Sequence, residues 1–406
     1  MFSSFLRSTT NPSLLRPLLL SSAAILTAAT ANNYNYVTNN TKCEQTTAQA
    51  ETKRRDSIVE EGLTTRKFYF YNTPAASSIS SKRTNIYTLP SSLTLSRDIT
   101  SLLGLPLSRL SVGKYADGET SVKVEDGCRG KDVFVVCSTV DDDSLMECLL
   151  TISTLRRASA KSICCIIPYY GYSRSDQKKA PRTPIAAADI SLMFTTMGVS
   201  SVICMDLHND SLRGFWDNGV PVDHLQPVPV AAAWFYEEVG VEDLCVVAPH
   251  EGQVARASDF RKRLQKLSGV DVPMAFVSKS RSHHGTREGE YEPILVGEVK
   301  GKTVIIVDDI ISSGNTMLKV NELLHDAGCS KSYGYATHGL FSSPTVLKEF
   351  SESSMEYVLV TNTVYHKKGS LPEKVKQLSV APLVAEAVAR TVGKRSVSGI
   401  LNEEDE

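Results

Sequence analysis

From Arg83 onward, short apolar runs rich in Val and Ile alternate with stretches of helical spacing, and this alternation constrains the fold more than any other feature. Asp132-Val-Phe-Val-Val-Cys137 reads as a buried strand. Ser144 to Ala158 follows with Leu145, Leu149, Ile152 and Leu155 near helical spacing, and Ser162-Ile-Cys-Cys-Ile-Ile-Pro168 is a second strand. The cycle continues with a helix over Pro184 to Gly198 and strands Ser201 to Met205 and Leu244 to Pro249. A helix over Glu251 to Leu267, strand Lys302 to Asp308, helix Asn315 to Ala327 and strand Ser332 to Thr337 complete it. Such alternation builds parallel sheets with helices on both faces. At 406 residues, against roughly 100 to 200 per domain, the chain has room for two such sheets. They should meet where Gly219, Pro221, Pro227 and Pro229 crowd together. Ligands of open α/β sheets bind beyond the carboxyl ends of the strands, so chemistry is expected just after Pro168, Met205, Pro249 and Val307.

The first eighty residues have a different character. Segment 1–43 lacks acidic residues, carries only Arg7, Arg16 and Lys42 as basic ones, and has an apolar stretch from Leu18 to Ala31. That stretch is short of the roughly 20 residues that span a bilayer, so 1–43 reads as a targeting segment and no membrane association is expected. Its Arg and Ser content fits a mitochondrial or plastid address, with the mitochondrion favoured, and its Thr-Ala-Ala-Thr-Ala end also fits a secretory cleavage site. Without a working leader the chain would be cytoplasmic. Residues 44–83 are polar and charge-mixed and read as linker, and 402–406 as an acidic tail. A formal charge of −1 excludes a global field that would recruit nucleic acid or anionic lipid, so any anion site must be local. The cysteines form no C-x-x-C pair, and several lie inside strand-like runs, which points to buried free thiols and a reducing compartment.

The most informative stretch is Val304-Ile-Ile-Val-Asp-Asp-Ile-Ile-Ser-Ser-Gly-Asn-Thr316, an apolar strand ending in two acids, then small residues that open a helix. Small residues let backbone N–H groups approach a phosphate, the helix dipole favours the anion, and Ser312, Ser313 and Thr316 supply hydroxyls. Paired acids at the mouth suit ribose hydroxyls or a hydrated magnesium ion. Tyr169 to Arg182 sets aromatics beside Arg174, Asp176, Lys178, Lys179 and Arg182 on a loop after a strand, a composition suited to a purine and its phosphates.

The segment around Asp308 and Asp309 resembles the phosphoribosyl-diphosphate motif of type I phosphoribosyltransferases, and further blocks narrow the resemblance to the ribose-phosphate diphosphokinases. These are Lys114 to Glu119, Arg129 to Val136, Leu145 to Glu147, Arg157 to Lys161, Pro168 to Asp176, Pro184-Ile185, Met205 to His208, Gly301-Lys302, Ala336 to Gly339 and Ser396 to Ser398. The resemblance implies an α/β fold of two tandem phosphoribosyltransferase-like domains with mainly parallel sheets, an ATP-side domain over 84–226 and a ribose 5-phosphate-side domain over 227–401. It also implies transfer of diphosphate from ATP to the anomeric hydroxyl of ribose 5-phosphate, giving 5-phosphoribosyl 1-diphosphate and AMP, with Mg2+ as cofactor.

By the same resemblance, Tyr115, Asp117 and Glu119 of a neighbouring subunit join Arg174, Ser175, Asp176 and His208 around ATP. That implies a homo-oligomer built on a dimer unit, with hexamers common in the family. Asp308, Asp309, Ser312, Ser313, Gly314, Asn315 and Thr316 hold ribose 5-phosphate, and His250, Glu251, Gly252 and Gln253 form the diphosphate loop. Lys279, Arg281 and His208 are the implied catalytic groups, and His208 and His250 the implied metal contacts.

The chain departs from the family pattern at several points. Ser312-Ser-Gly-Asn-Thr316 stands where Asp-Thr-x-Gly-Thr is usual, His250 where Asp is usual, and Ser175 where Gln is usual. Asn315 stands where Gly is usual, and Asn is among the few other residues that tolerate left-handed backbone angles, so the cradle can persist. Phosphate activation and ADP inhibition turn on such loop details. Two other readings stand beside the enzyme: a non-catalytic subunit that restrains an active paralogue, and a phosphoribosyltransferase acting on a nucleobase.

Overall fold

The computed structural model describes residues 79–216, 219–281 and 291–400. The targeting segment, most of the linker and the acidic tail lie outside the described residues. Fourteen strands and eight α-helices are found among those described. In chain order they are β1 (Thr84–Thr88), α1 (Leu93–Leu103), β2 (Leu110–Lys114), β3 (Thr120–Val124), β4 (Asp132–Val136), α2 (Asp142–Arg157), β5 (Ser162–Ile167), α3 (Ala186–Met197), β6 (Ser201–Met205) and β7 (Val222–Leu225). Then come α4 (Val228–Glu238), β8 (Leu244–Ala248), α5 (Val254–Ser268), β9 (Met274–Arg281), β10 (Tyr291–Val296), β11 (Thr303–Ile311), α6 (Asn315–Asp326), β12 (Lys331–Gly339), α7 (Pro344–Glu352), β13 (Tyr357–Thr361), β14 (Val375–Leu378) and α8 (Ala381–Val392).

The first sheet, β1-β4-β5-β6-β7, is wholly parallel. The second, β10-β9-β8-β11-β12-β13-β14, is parallel except for its β9/β10 edge pair, and β2 and β3 form a separate antiparallel hairpin. Strand β7 ends at Leu225 and α4 begins at Val228 with Pro at its first turn, so the chain passes between the sheets inside the Pro-rich stretch.

Period-two alternation sorts each strand's side chains between two cores. Val133 and Val135 pack with Leu149, Ile152 and Phe194 of α2 and α3, while Phe134 and Val136 face α1. Likewise Val304 and Ile306 pack towards α6 and α7, and Ile305 and Val307 towards α4 and α5. Helix α2 begins on a capping box, in which Asp141 accepts from the Ser144 N–H at 2.8 Å and Ser144 Oγ accepts from the Asp141 N–H at 3.0 Å.

Two boundaries differ from the sequence expectation. Strand β11 does not end at Asp308: Ile310 and Ile311 continue its pairing with His338 and Gly339, so both acids lie inside the strand. Helix α8, the last α-helix among the described residues, also leaves the second unit. Leu383, Val384, Ala387 and Val388 of α8 pack with Leu95, Ile99, Phe134, Ile166 and Ile203 on the first sheet. Helix α1 leaves part of that face to be covered, and the chain supplies a second apolar cover from α8.

Candidate active site

The carboxyl ends of the two sheets meet, and the groups between them are held by one hydrogen-bonded network. Asp206 follows β6 with a positive φ of 39°, a conformation that non-glycine residues rarely adopt, and its carboxylate is fully buried. Three residues of the second unit hold it. Arg256 Nη2 donates to Asp206 Oδ1 at 2.7 Å, the Thr337 hydroxyl donates to Oδ2, and His338 Nε2 donates to the backbone oxygen at 3.1 Å. A buried carboxylate is stable only with such partners. Burial works against the Arg256 charge, but Asp206 and Asp309 outweigh it and hold the guanidinium above its ordinary value. Burial holds the His338 imidazole below its ordinary value, and its ring meets Tyr169 edge-on at 5.1 Å.

Two residues past Asp206, His208 Nδ1 lies 2.5 Å from Asp309 Oδ2. The other Asp309 oxygen accepts from Gln253 Nε2 at 2.8 Å. Burial opposes ionisation of Asp309, yet the His208 hydrogen bond and the Arg256 charge hold its carboxyl well below the usual carboxylate range. With Nδ1 engaged by Asp309, Nε2 is the ring nitrogen left outside this bond. Asp308 behaves oppositely. Burial and the adjacent Asp309 charge push its carboxyl up, and it accepts the Asp309 N–H at 2.9 Å.

Beyond β11, Ser312, Ser313 and Gly314 lead into α6. Gly314 takes φ +74°, and a Cβ there would lie 3.0 Å from both Val346 Cγ1 and Phe350 Cε2. No side chain caps the helix, so its first N–H groups face the loop without a local acceptor. Ser313, Asn315 and Thr316 are exposed. The left-handed conformation belongs to Gly314, and Asn315, the first helical residue, does not use its tolerance for it.

On the first unit, the loop after β5 borders a cleft of about 710 Å³ lined by Thr139, Asp142, Tyr169, Tyr172, Arg174 and Lys179 among others. Gly171 is pinned there: its N–H donates to Thr139 Oγ1 at 2.7 Å, and a Cβ would lie 2.2 Å from the Thr139 carbonyl oxygen. Ser175 Oγ accepts from the Ala186 N–H at the start of α3, and Asp176 accepts from Asn209 next to His208. The β2–β3 turn stands apart. Tyr115 is 60% exposed, Asp117 and Glu119 are exposed, and the turn's bonds are internal. Lys114 at its base pairs with Asp143 of α2.

A family model described as the N-terminal domain of ribose phosphate pyrophosphokinase matches residues 84–198, and one described as the phosphoribosyl synthetase-associated domain matches 277–402. Ribose-phosphate pyrophosphokinase of Bacillus caldolyticus is 36% identical over 315 residues, covering 77% of this chain and 96% of the relative. The chain belongs to the ribose-phosphate pyrophosphokinase family. Its counterpart in Bacillus subtilis is 36% identical over 319 residues, with 78% and 96% covered. A crystal structure of phosphoribosylpyrophosphate synthetase from Mycobacterium smegmatis superposes with a TM-score of 0.70 at 31% identity, covering 77% of this chain and 99% of that one.

The tandem α/β architecture expected of a ribose-phosphate pyrophosphokinase is thus present, and the site residues can be placed within it. His208, Asp308, Asp309 and Gln253 come together. Lys279 and Arg281 end β9, in register with Pro293 and Tyr291 of β10. The His250 ring folds over Gly252, with Cε1 and Nδ1 each 3.1 Å from where a Cβ would sit, and Glu251 accepts from Ser278 at 2.6 Å. Among the described residues no group of three or more His, Cys, Asp or Glu side chains is arranged to hold a metal ion, so the expected His208–His250 metal pair has no such group around it. Each oxygen of Asp206 and Asp309 accepts one side-chain hydrogen bond, whereas among the described residues Asp308 accepts none from a cationic or amide side chain. This donor set fits a magnesium ion shared with substrate phosphates, which commonly needs only one or two protein groups.

Sequence reasoning gave no role to Asp206, Arg256, Thr337 or His338. The available signal was a charge rule: a buried acid two residues before His208 must be paired, and Arg256 stands one turn into the helix after the diphosphate loop.

Proposed function

We propose that the chain transfers the β,γ-diphosphate of ATP to the anomeric hydroxyl of ribose 5-phosphate, giving 5-phosphoribosyl 1-diphosphate and AMP. The observation that carries this reading is the bond between His208, at the end of the first sheet, and Asp309, inside the strand that leads to the phosphate cradle. Two substrates bound on either side of that bond would be brought edge to edge, and such transfer depends mostly on positioning and charge neutralisation. The loop from Tyr169 to Arg182 and its cleft take the nucleotide, with Arg174 supplying positive charge. Ser312 to Thr316 cradle the 5-phosphate through free N–H groups and hydroxyls, and Asp308 and Asp309 receive ribose hydroxyls.

Attack by the anomeric oxygen forms a bond to the β-phosphorus, the bridge to the α-phosphate breaks, and AMP leaves without a covalent enzyme intermediate. Magnesium bound to the nucleotide phosphates, touching His208 Nε2 or Asp308, would neutralise their charge. Lys279 and Arg281 stabilise the transferring group by resemblance to the family. Exposed Tyr115, Asp117 and Glu119 complete a neighbouring subunit's nucleotide site, so the working unit is at least a dimer. The leader directs the chain to an organelle, the mitochondrion ahead of the plastid.

The test is AMP formation by the full chain with ATP and magnesium, with and without ribose 5-phosphate, across inorganic phosphate concentrations. AMP should appear only with ribose 5-phosphate, and Lys279→Ala should lower its rate about 100-fold or more. Folded protein that binds ATP yet forms no AMP at any phosphate level would instead indicate a regulatory subunit. Consumption of phosphoribosyl diphosphate with a free base would indicate a nucleobase transferase.

A further inference from the structure

We propose that Gln253 is a positioning residue of the diphosphate transfer, whose side-chain amide closes a hydrogen-bonded ring that fixes Asp309 and, through it, the His208 imidazole. This rests on the diphosphokinase reading but departs from the role that resemblance gives the residue, since Gln253 is 2% exposed and both ends of its amide bond to protein side chains. Its Nε2 donates to Asp309 Oδ1 at 2.8 Å, and its Oε1 accepts from Arg256 Nη1. Arg256 Nη2 continues to Asp206 Oδ1 at 2.7 Å and to the Leu207 carbonyl at 3.4 Å. The backbone from Asp206 leads to His208, whose Nδ1 returns to Asp309 Oδ2 at 2.5 Å. The ring therefore begins at the end of β6, crosses to α5, passes through β11 and closes on itself.

The polarity of each member decides why an amide stands at position 253. A guanidinium only donates and an ionised carboxylate only accepts, so a side chain joining Arg256 to Asp309 at one remove must accept from the first and donate to the second. Glutamine does both. Glutamate would satisfy Arg256 but set a second carboxylate against Asp309, and methionine, of similar length, would fill the space and make neither bond. Arg256 itself reaches Gln253, Asp206 and Leu207 with one planar fork, which a lysine ammonium does not reproduce. Losing the amide frees Asp309 to turn and releases the imidazole it orients, and supporting partners of this kind typically carry 10- to 100-fold of activity.

The experiment compares full-length wild type, Gln253→Met and Gln253→Glu in ribose 5-phosphate-dependent AMP formation at saturating magnesium, with kcat and both KM values determined and folding checked by circular dichroism. The expected result is a kcat about 10-fold lower for Gln253→Met and about 100-fold lower for Gln253→Glu, with the KM for ATP within about threefold of wild type. A kcat for Gln253→Met within about twofold of wild type would overturn the proposal, because packing alone would then account for the residue. A raised KM for ribose 5-phosphate at unchanged kcat would overturn it too, by making Gln253 a substrate contact. Should Gln253→Met not fold, Gln253→Glu, which keeps the volume and the Arg256 bond, is read against the same limits. Wild type that forms no AMP defeats the diphosphokinase reading itself, whereas active wild type with indifferent variants defeats only this inference.

Discussion

Glu147, in the second turn of α2, shows how a single residue's environment sets a measurable property. Burial pushes its carboxyl up to about 7, the nearby Asp141 and Asp143 charges add to the shift, and Lys114 only partly offsets them. Its folded pKa lies above the unfolded value, so the native state holds the proton more tightly between pH 4.5 and about 7, and the group's effect on stability worsens as pH rises through that window. Glu147→Gln should therefore stabilise the protein at pH 8 by about 1 kcal/mol, discounted for partial exposure, and leave it unchanged near pH 4. Urea unfolding at the two pH values checks this, and an equal gain at both would contradict the titration account. Asn315 teaches the complementary point. Its left-handed tolerance was legible in the sequence, but packing of Gly314 against Val346 and Phe350, residues 32 and more positions away, assigns that conformation to the glycine.

At the scale of elements, the β2–β3 hairpin is the piece whose purpose its own chain does not explain. Its tip presents Tyr115, Asp117 and Glu119 to solvent, while the cleft that they would complete lies by the loop after β5. If the tip acts in a neighbouring subunit, Tyr115→Ala and Arg174→Ala each lower ATP turnover, and mixing the two inactive proteins through dissociation and reassociation restores part of it. A mixture no more active than its components would place the tip in its own subunit's site or outside any site. Stability should not change in Tyr115→Ala, because an exposed ring has little burial to lose. The hairpin was visible in the sequence only as a matching block: strands of mixed exposure around Gly113 and Gly118 lack the Val/Ile signature that made β4, β5 and β11 plain.

Across the whole molecule, α8 ties the end of the chain to the first sheet. Leu383 is 1% exposed in the core shared with Leu95, Ile99 and Phe134, so Leu383→Ala should cost about 2 to 5 kcal/mol. Hydrogen exchange would localise the loss: protection should fall in β1 and β4 of the first sheet, far away in sequence, more than in β8 or β11. Loss confined to the second sheet would show that α8 belongs energetically to its sequence neighbours. The same return of the chain, together with the Asp206 network, makes the facing of the two sheets a property of the full fold and not of either unit.

Local patterns determined much of this protein by themselves. Period-two Val and Ile runs specified the central strands of both sheets, the acids and small residues around Asp308 to Thr316 marked the phosphate cradle, and the ordered blocks indicated the family. These features depend on neighbours within a few residues, where backbone geometry and alternation act. Tertiary structure alone decided which buried charges pair. Asp206 meets Arg256 and Thr337, His208 meets Asp309, and Gln253 meets Asp309, all across long separations in sequence. The physical reason is that desolvating a charge requires a partner without specifying where in the chain it comes from, and only the packed sheets bring one within hydrogen-bonding distance.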